Sequence, residues 1–510
     1  MGHCVLRLGI IACLVVPSRV WAQLPPVGVP GGTVRVELDG SLETFDRLFR
    51  NGQRESYAAD LSSPALGSDR IPLLADADAR IGRIIGNTSY RLNLGELTSD
   101  ALADVGKGFF GLGLGLTDRI TIFGRIPLVR TRVQSRIALS STNADAGLNP
   151  GEASQLPFFQ DFDAALATLS SKLAAGDYDG NPAQRTLAEA TLAQGTALRS
   201  DLFGLLADPA TASPVVPTTT SGTGAAVLTR IAGLQNTLTS SLSVPGFTVA
   251  PVLPPDPLSE DGLRQVLAGP LALRVGESRV TFRGDAEAGA ALTLLDRWDR
   301  GSRRGGFRAA VSGLVRFPTG LREQSAGPLD IGTGDGQTDV QIDLVTDLGA
   351  GAFGARLAGT YVRQLPSDVL LRVAPPSQPL VEAGRLALVR RDPGDIIAID
   401  VRPFYRLART LALQGGVQHW TRKVDQVSYA SPSDALPGVD AGVLAEESAA
   451  NATLLSAGIT YSNPGRFRPG GRGLPVDASW SYERVLRSGK GRVPDTHRVQ
   501  ARFRMYFGLW

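Results

Sequence analysis

The chain has 510 residues, with 52 basic and 49 acidic side chains, a formal charge of +3, and 43% hydrophobic residues. That is too apolar for a disordered chain, and beyond the first two dozen residues no apolar run reaches the ~18 to 20 residues of a spanning helix, which excludes a polytopic helical membrane protein. The basic residues are spread rather than blocked, so nucleic acid is not an expected partner.

Arg7 precedes an apolar stretch from Leu8 to Pro17, followed by Val20-Trp21-Ala22. This is the pattern of a secretory signal peptide cut before Gln23. Cys4 and Cys13 both lie within it, so the mature chain has no thiol and no disulfide; losing Arg7 and Arg19 leaves 50 basic against 49 acidic residues. Ile10-Ile11-Ala12-Cys13 imitates a lipoprotein box, but the apolar run continues past the cysteine to Val16.

From Gly32 to Phe49 apolar residues alternate through Val34, Val36 and Leu38. This segment reads as a periplasmic lead-in or a further hairpin. Strands are then predicted near 88–100, 107–116 and 119–136. Between Arg136 and Val280 the rhythm changes to helical spacing: Phe162, Leu166, Leu169 and Leu173; then Leu187, Leu198, Leu202 and Leu205 behind an Asn181-Pro182 start; then Val227, Ile231, Leu234 and Leu238. Pro209 to Gly224 and Pro251 to Pro257 read as linkers. The insertion is either a small helical lobe or a lid entering a barrel mouth.

After the insertion, alternation of period two returns, which puts apolar side chains on one strand face and charges on the other. Phe307 to Phe317, Val340 to Leu344, Ile397 to Tyr405 and Val499 to Phe507 all show it. Short connections (Thr117-Asp118, Leu348 to Ala352, Ala408-Arg409) alternate with long ones (Pro318 to Gly336, Pro366 to Pro393, Asp425 to Ala449). A soluble β-sandwich shares the alternation but not this asymmetry, which is that of an outer-membrane barrel. Counting back from a last strand at 498–509 gives about twelve strands, or fourteen if Gly32 to Phe49 adds a hairpin. Tyr361, Tyr405, Tyr461, Trp480 and Tyr482 are candidate interface aromatics; Trp510 falls out of phase with the last apolar face.

The expected fold is therefore all-β, a transmembrane antiparallel β-barrel with a helical insertion. Residues 1–22 form the signal peptide, 23–87 the lead-in, 88–137 and 276–510 the barrel, and 138–275 the insertion. The inward-facing, pore-lining candidates are Arg308, Arg316, Asp343, Arg356, Asp400, Arg402, Gln414, Gln418, Arg502 and Arg504, each opposite an apolar face. A self-neutralising network filling a closed barrel accounts for them as well as an open pore does.

Enzymatic chemistry has no support. Only His3, His419 and His497 are present; His3 goes with the signal, and His419 has no Gly-rich serine motif beside it and no Ser or Asp placed by spacing as its partner. Asp177, Asp179 and Asn181 imitate the start of a calcium loop, but its twelfth position is Ala188 rather than a bidentate glutamate. Gly332, Gly334 and Gly336 lack the strand-to-helix setting of a phosphate loop. No catalytic residue, metal ligand or cofactor is expected.

The run Gly111-Leu112-Gly113-Leu114-Gly115-Leu116-Thr117-Asp118-Arg119-Ile120-Thr121-Ile122, followed by Ile126-Pro127, Gly284 to Glu287, Arg316 to Gly320 and Gly332 to Leu344, resembles an outer-membrane transporter family associated with the meta-cleavage pathway of phenol degradation. The likeness spans Ser89 to Trp510 without the insertion. It implies a barrel in the bacterial outer membrane that takes up small, hydrophobic or aromatic compounds, with membrane lipid and a permeant as partners and no catalytic residues. The long insertion departs from that pattern. The competing expectation is a structural or adhesive barrel acting through its insertion, and oligomeric state is left open.

Overall fold

A computed structural model describes residues 27–245, 247–299, 305–408, 410–462 and 475–509. The signal peptide and Trp510 lie outside them. Twelve described strands close a barrel: β1 (Thr33–Phe45), β2 (Glu96–Gly115), β3 (Ile120–Ser140), β4 (Glu287–Asp299), β5 (Gly305–Arg316), β6 (Asp339–Ala350), β7 (Phe353–Gln364), β8 (Ile396–Arg406), β9 (Leu411–Arg422), β10 (Ala450–Ser462), β11 (Val476–Lys490) and β12 (His497–Gly508). Each pairs antiparallel with its neighbours in sequence. β1 closes the ring on β12, from Thr33 opposite Gly508 to Thr44 opposite His497. Closure removes every free edge inside the membrane.

The count of twelve agrees with expectation, but its membership does not. Gly32 to Phe49 is not a lead-in, since Thr33–Phe45 is a full barrel strand, and the small hairpin of Arg47–Arg50 with Gln53–Ser56 lies in a separate sheet and adds nothing to the barrel. The two strands predicted at 88–100 and 107–116 are one strand, β2, of 20 residues. Its alternation runs unbroken while its polarity inverts. Near Gly115 the outward residues are Phe110, Leu112 and Leu114; beyond Val105 the inward residues Leu97, Ala101 and Ala103 are the apolar ones, and Asp100 faces out. The lower half has lipid outside and a polar lumen inside. The upper half has water outside and the helical lobe inside. β3, 21 residues long, does the same, and its upper part, Leu128 to Gln134, pairs with the short strand Glu277–Arg283.

The exposed large apolar side chains of the wall, among them Leu112, Ile122, Ile342, Ile399, Val417, Leu455 and Phe503, all point outward. Tyr361, Tyr405 and Trp480 are 41%, 42% and 50% exposed on the same face, and Tyr461 and Tyr482 share it. An apolar band with aromatics around a closed, polar-centred barrel is the architecture of a bacterial outer-membrane protein. Among the described residues, connections at the Gly508 end such as Leu116 to Arg119 and Gly351-Ala352 are short, whereas 46–95, 141–286, 317–338, 365–395 and 423–449 all lie at the other end.

The lobe gathers α1 (Ala75–Ile85) from the β1–β2 connection with α2 (Glu152–Ala175), α3 (Pro182–Leu206), α4 (Gly222–Asn236) and α5 (Glu260–Ala268). Phe162 stacks on Phe247 at 4.4 Å, and Leu169, Leu198, Leu202, Leu205, Val227, Ile231, Leu234 and Leu238 are buried around them. Leu166 and Leu173 are partly buried against this core, whereas Leu187 is exposed. The Asn181 side chain accepts the Gln184 N–H, with Pro182 opening α3. The expected linkers are packed: Val215–Pro217 pairs with Ala146–Leu148 and is buried, and Leu253 is buried in the lobe core. The prolines there mark tight packing rather than looseness.

Candidate functional site: the barrel lumen

Strand alternation fixes which side chains enter the lumen. Of the ten predicted, nine are buried and Gln414 is half-buried, opposite the inward Phe404. They do not form one site.

Toward the short-turn end the lumen is packed. Asp347 on β6 takes the Arg308 guanidinium from β5 and that of Arg356 from β7, the latter through Nε at 2.5 Å and Nη2 at 2.8 Å. Trp298 lies between Arg308 and Arg406, whose guanidinium carbons are 5.0 and 4.8 Å from its ring centre. Asp343 accepts from Ser312, Gln341 and Thr360. Arg402 holds Asp400 through two 2.7 Å bonds. Arg504 reaches Glu37 at 3.0 Å and Arg502 reaches Asp39 at 2.7 Å, both across the β1–β12 seam.

The N-terminal segment enters the same region. Val27 packs with the inward Ala291, Ala310 and Val345, and the buried Val29 donates its N–H to Thr121 Oγ1 at 2.8 Å. Gly111, Gly113 and Gly115 face inward here. A side chain at Gly113 would touch Val29, and one at Gly115 would fall on the Pro30 carbonyl. The alternation of glycine with leucine thus serves both faces of β2, with leucine toward lipid and bare backbone toward the entering segment. Asp118 in the β2–β3 turn accepts the Gly31 N–H at 3.1 Å.

The outer half of the lumen holds a cavity of about 530 Å³. Of the predicted residues only Arg316 and Arg502 line it. Arg316 binds Glu287 at 3.2 Å and Asp339 at 2.5 Å, and Glu287 also receives Arg125. Arg498 spans Glu43 at 2.5 Å and Glu483 at 2.9 Å. Arg391 and Arg422 share Asp425, at 2.7 and 2.5 Å, and Arg492 meets Asp60. One wall is apolar: Phe45 and Val129 line it with Leu329 and Ile331 of the β5–β6 loop, and Val105 and Val133 pack in the same cluster. Thr131 holds that loop inward by donating to the Ile331 carbonyl at 3.0 Å.

The glycine run of this loop folds around the Asp285 carboxylate, which accepts the amides of Gly320 at 2.8 Å and Asp335 at 3.2 Å. Burial pushes the Asp285 carboxyl up from its ordinary range, against the pull of these amides. The backbone donors that a phosphate would need are thus directed at the protein's own carboxylate. His419 is exposed on the outer face beside Thr453, and His497 hydrogen-bonds Tyr482. Asp179 pairs with Arg185 and Asp177 with Lys172, an arrangement of turn and helix start.

Sequence reasoning missed the inward set of β1, namely Arg35, Glu37, Asp39, Ser41 and Glu43, although Val34, Val36 and Leu38 announce their parity. It also missed the acidic partners Glu287, Asp339 and Asp347, which are one or two steps along strands already recognised.

No protein-family model and no curated protein sequence matches the chain. Among solved structures, an outer membrane channel from Pseudomonas putida aligns with a TM-score of 0.42 and 11% identity, over 95% of this chain and 100% of that one. CymD, a monoaromatic hydrocarbon channel, gives 0.28 and 9% over 94% of this chain and 89% of its own. A Pseudomonas aeruginosa FadL homologue gives 0.27 and 7%, over 94% and 90%. All three scores lie below 0.5, so the functional reading rests on the residues of this chain.

Proposed function

We propose that the protein is an outer-membrane channel for small organic molecules with apolar or aromatic bodies, and not an enzyme. The observation that carries this reading is the outer-half cavity, which is large enough for a small molecule and combines an apolar wall with fixed charges. Of the ten inward residues named from the sequence, Arg316 and Arg502 line this cavity, and the other eight, with Arg35 and Glu37 of β1, would form the selective waist below it. The phenol-degradation link implied by the family resemblance agrees with aromatic permeants. Residues 138–275 are then an accessory lobe on the outer side of the membrane.

The packed waist specifically favours a second reading, a closed barrel that displays its helical lobe. Planar-bilayer conductance of the purified chain, with swelling of liposomes in small aromatic solutes, separates the two. Stepwise conductance and solute entry are expected of a channel, and a silent bilayer with no swelling supports the display reading.

A further inference from the structure

Among the described residues, the arginines lining the outer cavity are engaged. Those on the barrel wall hold carboxylates, and Arg322 of the β5–β6 loop donates to the carbonyls of Gly336 and Asp368. Lys107 is different. It stands on the inner face of β2, opposite Ser41 on β1 and Val129 on β3, with Val105 and Phe109 two residues away on the same face. No hydrogen bond or ion pair engages its ammonium, though it lines the cavity. The carboxylates diagonal to it on β1 are engaged, Asp39 by Arg502 and Glu43 by Arg498, and of the loop carboxylates Glu323 lies within electrostatic reach of Arg391 and Asp335 of Arg316.

An ammonium with no ion-pair partner, bordered on one side by an apolar wall, is complementary to a molecule with one negative charge on an apolar body. We propose that this cavity is a binding site for an aryl carboxylate, its ring against Phe109, Val129 and Ile331 and its carboxylate on Lys107. The proposal deepens the channel reading and rests on it for its place in transport. Chloride would satisfy the charge but leave the apolar wall wet. A neutral hydrocarbon would cover the wall but leave the ammonium buried without a counter-charge, which is unfavourable. The carboxylate-to-ammonium contact lies in a partly enclosed lumen, where a charged hydrogen bond is stronger than at an open surface.

The test uses the full chain in detergent micelles, titrated calorimetrically with benzoate, benzylammonium and toluene at fixed ionic strength. Benzoate should bind, benzylammonium should not compete, and benzoate affinity should fall as salt is raised. Lys107→Met should weaken benzoate about tenfold or more, the size of one charged hydrogen bond, and Lys107→Arg should restore most of it. Heat-modifiable gel mobility reports folding of each variant, and Lys107→Gln replaces any that misfolds. Equal benzoate affinity in wild type and Lys107→Met, preference for benzylammonium, or no benzoate binding to wild type would each overturn the assignment. Wild-type conductance in potassium chloride is scored separately: a silent bilayer with intact benzoate binding rejects the channel and keeps the site.

Discussion

Asp347 is 1% exposed and holds two arginines from different strands. Replacing it by alanine leaves Arg308 and Arg356 facing each other in a water-poor waist. Removing one partner from a buried ionic cluster costs about 3–5 kcal/mol, so Asp347→Ala should shift to the unfolded gel mobility at lower urea than wild type. The outer face obeys the opposite rule. Val311 on β5 lies between Leu344 and Leu292 among lipid-facing residues, and Val311→Arg should cost about 2–4 kcal/mol near the bilayer midplane, seen as reduced insertion into vesicles. At the outer rim, burial would raise the Asp425 carboxyl, but Arg422 and Arg391 outweigh it and hold the group below its ordinary range. A depressed acid gives stability that is full above the unfolded value of about 3.9 and is lost as the pH falls through its own lower value. The protection of amides around Gly394 and Asp425, each exchange rate taken relative to the unfolded chain at the same pH, should therefore match at pH 7 and 5 and fall only below pH about 4. Asp425→Asn should show low protection at all three.

At the scale of elements, the inward glycines of β2 and the segment from Val27 to Gly31 form one unit. Gly115→Val should expel that segment from the lumen, because the new side chain would occupy the position of the Pro30 carbonyl. If the segment obstructs the short-turn mouth, this variant conducts more than wild type, and unchanged conductance would show that it does not. The same strand shows what was legible in sequence. Phase was readable along all of β2, because side-chain alternation survives any change of surroundings. Polarity was not, because the solvent on each face changes at the membrane rim. Reading hydrophobicity instead of phase splits the strand in two. β1 alternates but reads equally as a lead-in or a further hairpin: its inner face carries Arg35, Glu37, Asp39 and Glu43, and only its closure on β12, more than 450 residues away, explains why those charges are tolerated. The helical stripes were legible where helix packs on helix. Leu187 failed because a stripe does not state where the lobe ends.

For the molecule as a whole, the long connections among the described residues leave the barrel at the end opposite Thr33 and Gly508. If both chain ends lie in the periplasm, the lobe stands outside the cell. Trypsin added to intact cells should then cut at exposed arginines such as Arg185 and Arg264, while the barrel resists. Cutting only after the outer membrane is breached would put the lobe on the inner side. Pro209 to Gly224 has no lysine or arginine for trypsin, and its buried part from Val215 to Thr218 should resist proteinase K as well.

The pairing of β1 with β12 also constrains how the chain folds. Eleven of the twelve junctions join strands consecutive along the barrel's path, each able to form as soon as both partners exist; the remaining one joins the two ends of that path. Its closing loop spans nearly the whole chain, so its entropy must be met at once and late. Until then β1 and β12 are unpaired edges, and Glu37, Asp39 and Glu43 are held away from Arg504, Arg502 and Arg498. The seam ion pairs can thus form only in a completed ring. Weakening them should chiefly speed opening of the finished barrel while leaving the rate of hairpin assembly nearly unchanged.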